Sequence, residues 1–107
     1  MKDPDCVFCN IEEDKIIMKN DFAFVINDKF PHSKGHVLVI PFNHNEDYFD
    51  LSPEEQAEMN DLLNKAKVYT DNKHHPSAYN VNLNIGKEAG QIVMHAHIHL
   101  VPRYNKS

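Results

Sequence analysis

No run in this 107-residue sequence comes near the ~20 consecutive apolar residues that cross a bilayer, so a helical membrane span is excluded. The opening Met1-Lys2-Asp3-Pro4-Asp5 lacks the apolar stretch of a secretion signal, and the expected compartment is the cytoplasm. Clustered lysine and arginine are also missing. With a net charge of -5, the chain has no basic patch to neutralise a duplex, which excludes nucleic acid as the main partner. A small phosphorylated ligand stays compatible, because one site can be locally positive on an acidic protein. There is no internal repeat, no low-complexity tract and no linker, and 41% hydrophobic residues support one modest core. A single domain over residues 1–107 is therefore expected. Cysteine is scarce: the only two, Cys6 and Cys9, are spaced C-x-x-C. A structural disulfide is disfavoured in a reducing cytosol. Metal ligation, a redox dithiol and a pair of buried reduced thiols all stay open, although the redox reading lacks its βαβ context.

What the chain has in plenty is histidine, 8 in all, three of them within five residues. The surrounding pattern is one of short strands and one helix. Lys15–Lys19 and Phe22–Asn27 read as strands joined by an Asn20-Asp21 turn. Asp28–Gly35 reads as a loop, and His36–Ile40 as a third strand that Pro41 stops. Ser52 is a good N-cap, Pro53 suits the first helical position, and Glu55 completes a capping box. Met59, Leu62, Leu63, Ala66 and Tyr69 then form one helical stripe. Tyr79–Ile85 alternates, with Tyr79, Val81, Leu83 and Ile85 on one face and three asparagines on the other. Gly86–Gly90 is a loop, and Val93–Val101 a last strand ended by Pro102. The expected fold is α+β, with about five largely antiparallel strands, a main helix from the Ser52 cap to about Asn72, and a short N-terminal helical segment.

The segment that carries chemistry is His95-Ala96-His97-Ile98-His99-Leu100-Val101. Side chains alternate faces along a strand, so the three imidazoles share one face while Met94, Ala96, Ile98 and Leu100 take the core side. Next-but-one positions lie ~6.6 Å apart along a strand, which makes a row along which a ligand could lie. Three histidines in strict alternation each cost β propensity and each need a partner if buried.

This segment resembles the signature of the histidine-triad (HIT) family, in which apolar residues separate three histidines. Asn84-Ile85-Gly86-Lys87-Glu88-Ala89-Gly90-Gln91 is similar to that family's approach loop, and Gly35-His36-Val37-Leu38-Val39-Ile40-Pro41-Phe42-Asn43-His44 to its G-H-x-L-V-I-P-x-x-H strand. Pro102-Arg103-Tyr104 is similar to bacterial members. The resemblance implies a HIT-like fold and a nucleotide hydrolase or transferase acting at the α-phosphorus of a nucleoside phosphoramidate, an adenylate or a dinucleoside polyphosphate. By position, His97 is then the nucleophile that forms a nucleotidyl-histidine, His99 a hydrogen-bond donor beside the phosphate, and His36 a supporting histidine. Asp28 matches a ribose-binding acid, and Asn84 a polar contact to ribose or phosphate. Gly90 and Gln91 belong to the loop whose amides cradle phosphate oxygens. Phe8, Ile11 and Ile26 match an apolar pocket for a purine base.

The resemblance also implies one structural zinc per chain, held by Cys6, Cys9, His44 and His95 as a closed Cys₂His₂ set. It implies a homodimer. Two residues depart from the family pattern: Ile92 stands where a hydroxyl residue touches phosphate, and Lys29 where an apolar residue is usual. Two rival readings remain, a catalytic zinc hydrolase that uses the triad as ligands and a non-catalytic nucleotide-sensing module of the same fold.

Overall fold

The computed structural model describes residues 3–105. Met1 and Lys2 of the polar N-terminal stretch lie outside the described residues. Five strands form one antiparallel sheet: β1 (Ile16–Lys19), β2 (Ala23–Asn27), β3 (Val37–Pro41), β4 (Ala78–Asn82) and β5 (Ile98–Arg103), in the order β1-β2-β3-β5-β4. Among the described residues the single long helix, α1 (Pro53–His74), connects β3 to β4, and β5 then returns to fill the gap between them. Among the described residues no helix is long and apolar enough to cross a membrane.

Local chemistry accounts for each element. The β1–β2 hairpin turns at Asn20, whose Oδ1 accepts from the amides of Phe22 and Ala23, both at 2.8 Å. The side-chain Nδ2 of Asn20 also donates to the Glu58 carbonyl on α1 at 3.1 Å, pinning the turn to the helix. The capping box is present as expected, with Ser52 Oγ accepting from Glu55 N at 3.0 Å and Glu55 Oε1 from Ser52 N at 2.9 Å. The helix runs past Asn72 to His74 and ends on His75 in the left-handed conformation (φ 52°). Its buried stripe is Met59, Leu62, Ala66 and Thr70, with Leu63 and Tyr69 only half-buried. Thr70 is tolerated there because its hydroxyl donates to the Ala66 carbonyl at 2.9 Å, which removes the cost of burying it unpaired. The expected N-terminal helical segment is a 3-10 turn, Val7–Asn10, followed by a second at Glu13–Lys15.

The sheet separates two cores by the period-two rule. Ala23, Val25, Val37, Val39, Ile98 and Leu100 pack with Met59, Leu62 and Ala66 of the helix. On the other face, Phe24, Ile26, Leu38 and Ile40 pack under Phe8 of the first 3-10 turn. At about 1.5–3 kcal/mol for each large apolar side chain removed from water, these two layers are the main stabilising contribution.

Three strand expectations need correction. β4 ends at Asn82 rather than Ile85, and as the edge of the sheet it leaves Val81 54% exposed instead of packed. β5 begins at Ile98, not Val93, and continues through Pro102 to Arg103. Pro102 is accommodated because it pairs only with Tyr79 on β4, beyond Leu100, the last residue paired with β3. Pro41, expected to stop β3, is its final residue and pairs with Ala23 on the β2 side.

Candidate active site

Two clusters are built from the triad segment. Its alternation holds in the packing, since Ala96, Ile98 and Leu100 lie in the helix-side core. Met94 is half-buried and not part of that core. The three rings do not form one row, however. His95 is completely buried and turns toward the N-terminal thiols, whereas His97 and His99 line a cavity of about 1030 Å³. Phe8 stands edge-on to both His95 and His97, with ring centroids 5.9 and 5.1 Å away.

Hydrogen bonds to backbone groups decide which nitrogen of each ring is free. His97 Nδ1 lies 2.7 Å from the His95 carbonyl, which can only accept, so the proton sits on Nδ1 and the lone pair on Nε2. His95 is the reverse case. Its Nε2 lies 2.8 Å from the Pro41 carbonyl, which leaves the Nδ1 lone pair free. His36 Nδ1 accepts from the His32 amide at 3.0 Å, so its proton is on Nε2, 3.0 Å from His99 Nδ1 and 3.4 Å from Asp28 Oδ2. His99 Nδ1 therefore accepts, and its own proton is on Nε2 as a donor.

Burial pushes the pKa of His97 below the ordinary imidazole value, against the opposing pull of the His95 carbonyl and Asp28. Burial likewise lowers His36, with Asp28 opposing. Burial, then the neighbouring His97 and His36, brings His99 down to about 4. The arrangement at neutral pH is thus one uncharged imidazole with a free lone pair, packed 4.8 Å (ring to ring) from a second that offers an N–H. That is the equipment of nucleophilic attack beside a donor to developing charge.

The other residues singled out in the sequence line the same cavity, with two exceptions. Phe8, Ile11 and Ile26 form an apolar end, joined by Leu38. Asp28 and Asn84 line the cavity, and Asp28 Oδ1 also caps the Phe30 amide at 2.8 Å. Gly90 lines it too and needs its glycine, because φ is +96°. The first exception is its loop. The amides of Ala89, Gly90 and Gln91 are bonded to the carbonyls of Gly86, Lys87 and Gly86, so these donors turn inward and do not cradle a ligand. The second is Gln91, which is buried and outside the cavity lining. Its side chain braces the loop, accepting from Gly86 N at 2.8 Å and donating to the carbonyls of Glu46 (2.9 Å) and Val93 (3.1 Å).

Sequence reasoning missed His32, Asn82 and Phe30, all of which line the cavity. The His32 ring lies 6.5 Å from His99 and nearly parallel to it, at 12°. A signal existed for two of them: His32 shares the loop of Asp28 and His36, and Asn82 shares the alternating face of Asn84.

The second cluster is Cys6, Cys9, His44 and His95, whose ligand atoms lie within 4.8 Å of one another. His95 Nδ1 is 3.4 Å from Cys6 Sγ and 3.6 Å from Cys9 Sγ, and His44 Nδ1 is 3.3 Å from Cys9 Sγ. Tetrahedral zinc, with bonds near ~2.3 Å to sulfur and ~2.0 Å to nitrogen, sets its ligand atoms roughly 3.3–3.8 Å apart, so the donor set fits. Asp3 N donates to Cys9 Sγ at 3.2 Å, as suits a thiolate, while burial foremost raises the pKa of the unligated Cys6 thiol. Asp28, His36 and His99 also converge, but the proton on His36 Nε2 occupies the atom that a metal would need.

A model of the HIT domain family matches residues 10–106. The chain belongs to the HIT family. The HIT domain is 34% identical to the adenosine 5'-monophosphoramidase hnt1 of Schizosaccharomyces pombe over 105 residues, covering 94% of this chain and 76% of that enzyme. It is 31% identical to the AP-4-A phosphorylase of Mycobacterium tuberculosis (strain H37Rv) over 94 residues, covering 87% of this chain and 48% of that enzyme. Among solved structures, a Zn-bound histidine triad family protein from Mycobacterium smegmatis superposes with a TM-score of 0.85 at 33% identity, covering 96% of this chain and 78% of that one. The phosphoramidase and the phosphorylase act on nucleotides, and the HIT domain has the matching α+β fold, a five-stranded antiparallel sheet backed by one helix.

Proposed function

We propose that this HIT domain is a hydrolase or transferase that cleaves nucleotide conjugates at the α-phosphorus through a covalent nucleotidyl-His97 intermediate. The observation that carries the reading is the His97 Nδ1 contact to the His95 carbonyl, which leaves Nε2 as the lone pair at the cavity. In the first step the Nε2 lone pair forms a bond to phosphorus, and the bond from phosphorus to the leaving group breaks. For a phosphoramidate, the nitrogen departs as an amine with a proton relayed from solvent through His99. In the second step water attacks phosphorus, gives up a proton, and breaks the bond to Nε2, releasing the nucleotide. His99 donates to the charge developing on the phosphoryl oxygens or leaving group, held in register by the His36 Nε2–H at its Nδ1. Asp28 would accept ribose hydroxyls, Asn84 would contact the phosphate or ribose, and Phe8, Ile11, Ile26 and Leu38 would hold a purine base.

One zinc ion per chain, bound by Cys6, Cys9, His44 and His95, would supply a structural cross-link between the N-terminal turn, the segment after β3 and the start of the triad. Two free thiols suit a reducing compartment such as the cytoplasm. Homodimer formation rests on family analogy and on the open β4 edge. The deciding experiment is incubation with an AMP phosphoramidate and with a dinucleoside polyphosphate, followed by acid quench and mass spectrometry. A nucleotidyl adduct mapped to His97 is expected. Nucleotide binding with neither adduct nor AMP release would instead identify a sensing module.

A further inference from the structure

The C-x-x-C turn serves both clusters at once. Cys6 and Cys9 converge with His44 and His95, while Val7 and Phe8 between them, and Asn10 and Ile11 just after, line the cavity of His97 and His99. Phe8 is the direct link, its ring edge-on to His95 of one cluster and to His97 of the other. A second link runs through the main chain. His95 Nδ1 lies beside the two sulfurs, and the His95 carbonyl holds Nδ1 of His97. Whatever ties the thiols to His95 therefore also fixes one wall of the cavity and the orientation of its central imidazole.

The turn is also shaped so that the two thiols can join each other. Cys9 N donates to the Cys6 carbonyl at 3.2 Å, a turn that brings the two Cα atoms within ~7 Å, close to the range of a disulfide. The sulfurs approach one atom, 3.4 and 3.6 Å from His95 Nδ1, and lie within 4.8 Å of each other. Asn10 Nδ2 clamps the turn by donating to the Cys6 carbonyl at 2.8 Å. Access is unequal: Cys6 is half-buried and Cys9 buried, so a small oxidant meets Cys6 first and Cys9 stands ready to resolve the product. Burial raises the pKa of the unligated Cys6 thiol, whereas a ligating thiolate is already in the form that attacks an oxidant.

On the reading that the cavity receives a nucleotide against Phe8 and that the four donors hold zinc, we propose that Cys6 is a peroxide-reactive site and that the Cys6–Cys9 pair is a redox control on nucleotide binding. The Cys6 thiolate attacks hydrogen peroxide, the O–O bond breaks, and a sulfenic acid and hydroxide form. The Cys9 thiolate then attacks the Cys6 sulfur, the S–S bond forms, and the S–O bond breaks to release a second hydroxide. Two electrons pass from sulfur to the peroxide oxygens, and both hydroxides take a proton from solvent to become water. The donor set falls to two imidazoles, too few for a closed tetrahedral zinc site. The turn is then cross-linked to itself instead of to His44 and His95, so Phe8 and the His95 carbonyl lose the tie that fixes them.

The test treats reduced, zinc-loaded protein with hydrogen peroxide and follows thiols, released zinc, intact mass, AMP affinity by calorimetry and backbone hydrogen exchange. Both thiols and the zinc are expected to be lost together, with the mass of the metal-free chain lower by two hydrogens. The Kd for AMP should rise about tenfold, the scale of losing one fitted apolar contact, and dithiothreitol with zinc should restore it. Thiols and zinc that persist, or oxidation that stops short of a disulfide, would overturn the assignment of Cys6. A disulfide that leaves AMP affinity unchanged would overturn the control. Reduced protein that binds no AMP would instead count against the nucleotide reading, and hydrogen exchange then decides the switch. Residues 6–11 and 95–99 should lose protection on oxidation while residues 53–74 keep theirs. Unchanged protection, or an equal loss throughout the chain, would refute a local control.

Discussion

His95 and His97 are two residues apart on one segment, yet they belong to different chemical worlds. Both are buried, and both have one ring nitrogen bonded to a backbone carbonyl. For His95 the carbonyl of Pro41 engages Nε2, so Nδ1 faces the thiols of Cys6 and Cys9. For His97 the carbonyl of His95 engages Nδ1, so Nε2 is left with the lone pair. The same side chain thus presents a free Nδ1 to two thiols in one place and a free Nε2 in the other, and a single main-chain oxygen makes the choice. What this teaches is that the identity of the residue matters less here than the atom its backbone neighbour occupies.

The sharpest way to break the comparison is to remove each ring in turn. His97→Ala should lower turnover about 10³-fold or more while leaving the melting temperature and metal content near their starting values. His95→Ala should do the opposite to metal content, reducing it well below one equivalent by elemental analysis, with activity falling through loss of structure. If His97→Ala also stripped the metal, the division of labour between the two rings would be wrong. Next in size is chelation. Metal held at about a hundredfold above its dissociation constant contributes about 2.7 kcal/mol, so a strong chelator should lower the melting temperature by about 10 °C or more. Protein in which Cys6 and Cys9 are both serine should show no such shift.

A smaller effect separates the two regions by pH. His99 has a folded pKa of about 4 against an unfolded value near ~6.5, and His36 is lowered as well. Both are neutral above pH ~6.5 in either state, and below it the unfolded chain takes up protons first. Stability should therefore be full above that pH and fall by about 2 kcal/mol as the pH drops toward 4, read by denaturant melts. His36→Phe should flatten part of this fall and lower activity by releasing His99 from its orienting bond. Ser52→Ala makes the smallest change, about 1 kcal/mol through loss of the helix cap, and should lower the melting temperature without altering either cluster's chemistry.

Much of this was legible in advance because it rests on local rules. Ser52, Pro53 and Glu55 mark a helix start in any context, and the Asn20 turn needs only its own side chain. The alternation of the triad segment marked Ala96, Ile98 and Leu100 as core, although Met94 on the same side stays outside it and His95 parts from the other two rings. Thr70 in place of Tyr69 could not be read, since helical spacing alone does not say which of two adjacent positions faces the sheet. Nor could the closed Gly90 loop. Its glycines suggest a cradle, but Gln91 draws the turn together from within, and only the position of the Glu46 carbonyl makes that bond available. The mistaken start of β5 has a similar origin. At the end of β3, Pro41 has no N–H to offer, and Ala96 N bonds instead to the Asn45 carbonyl at 2.7 Å. His95 and His97 are thereby released from the ladder.

The sequence by itself determined the inventory: the helix, the antiparallel strands, the thiols with their two histidine partners, and the family to which the chain belongs. Periodicity and residue type are sufficient for the helix and strands, because hydrogen-bond spacing and apolar burial act over a few residues at a time, whereas the family and the thiols' histidine partners rest on the resemblance of ordered motifs. Only the tertiary structure decided which ring turns toward the thiols, which nitrogen of each imidazole is free, and which amides remain open to a ligand. Those outcomes depend on carbonyls delivered by strands and loops far away in the chain, and no local pattern encodes their arrival.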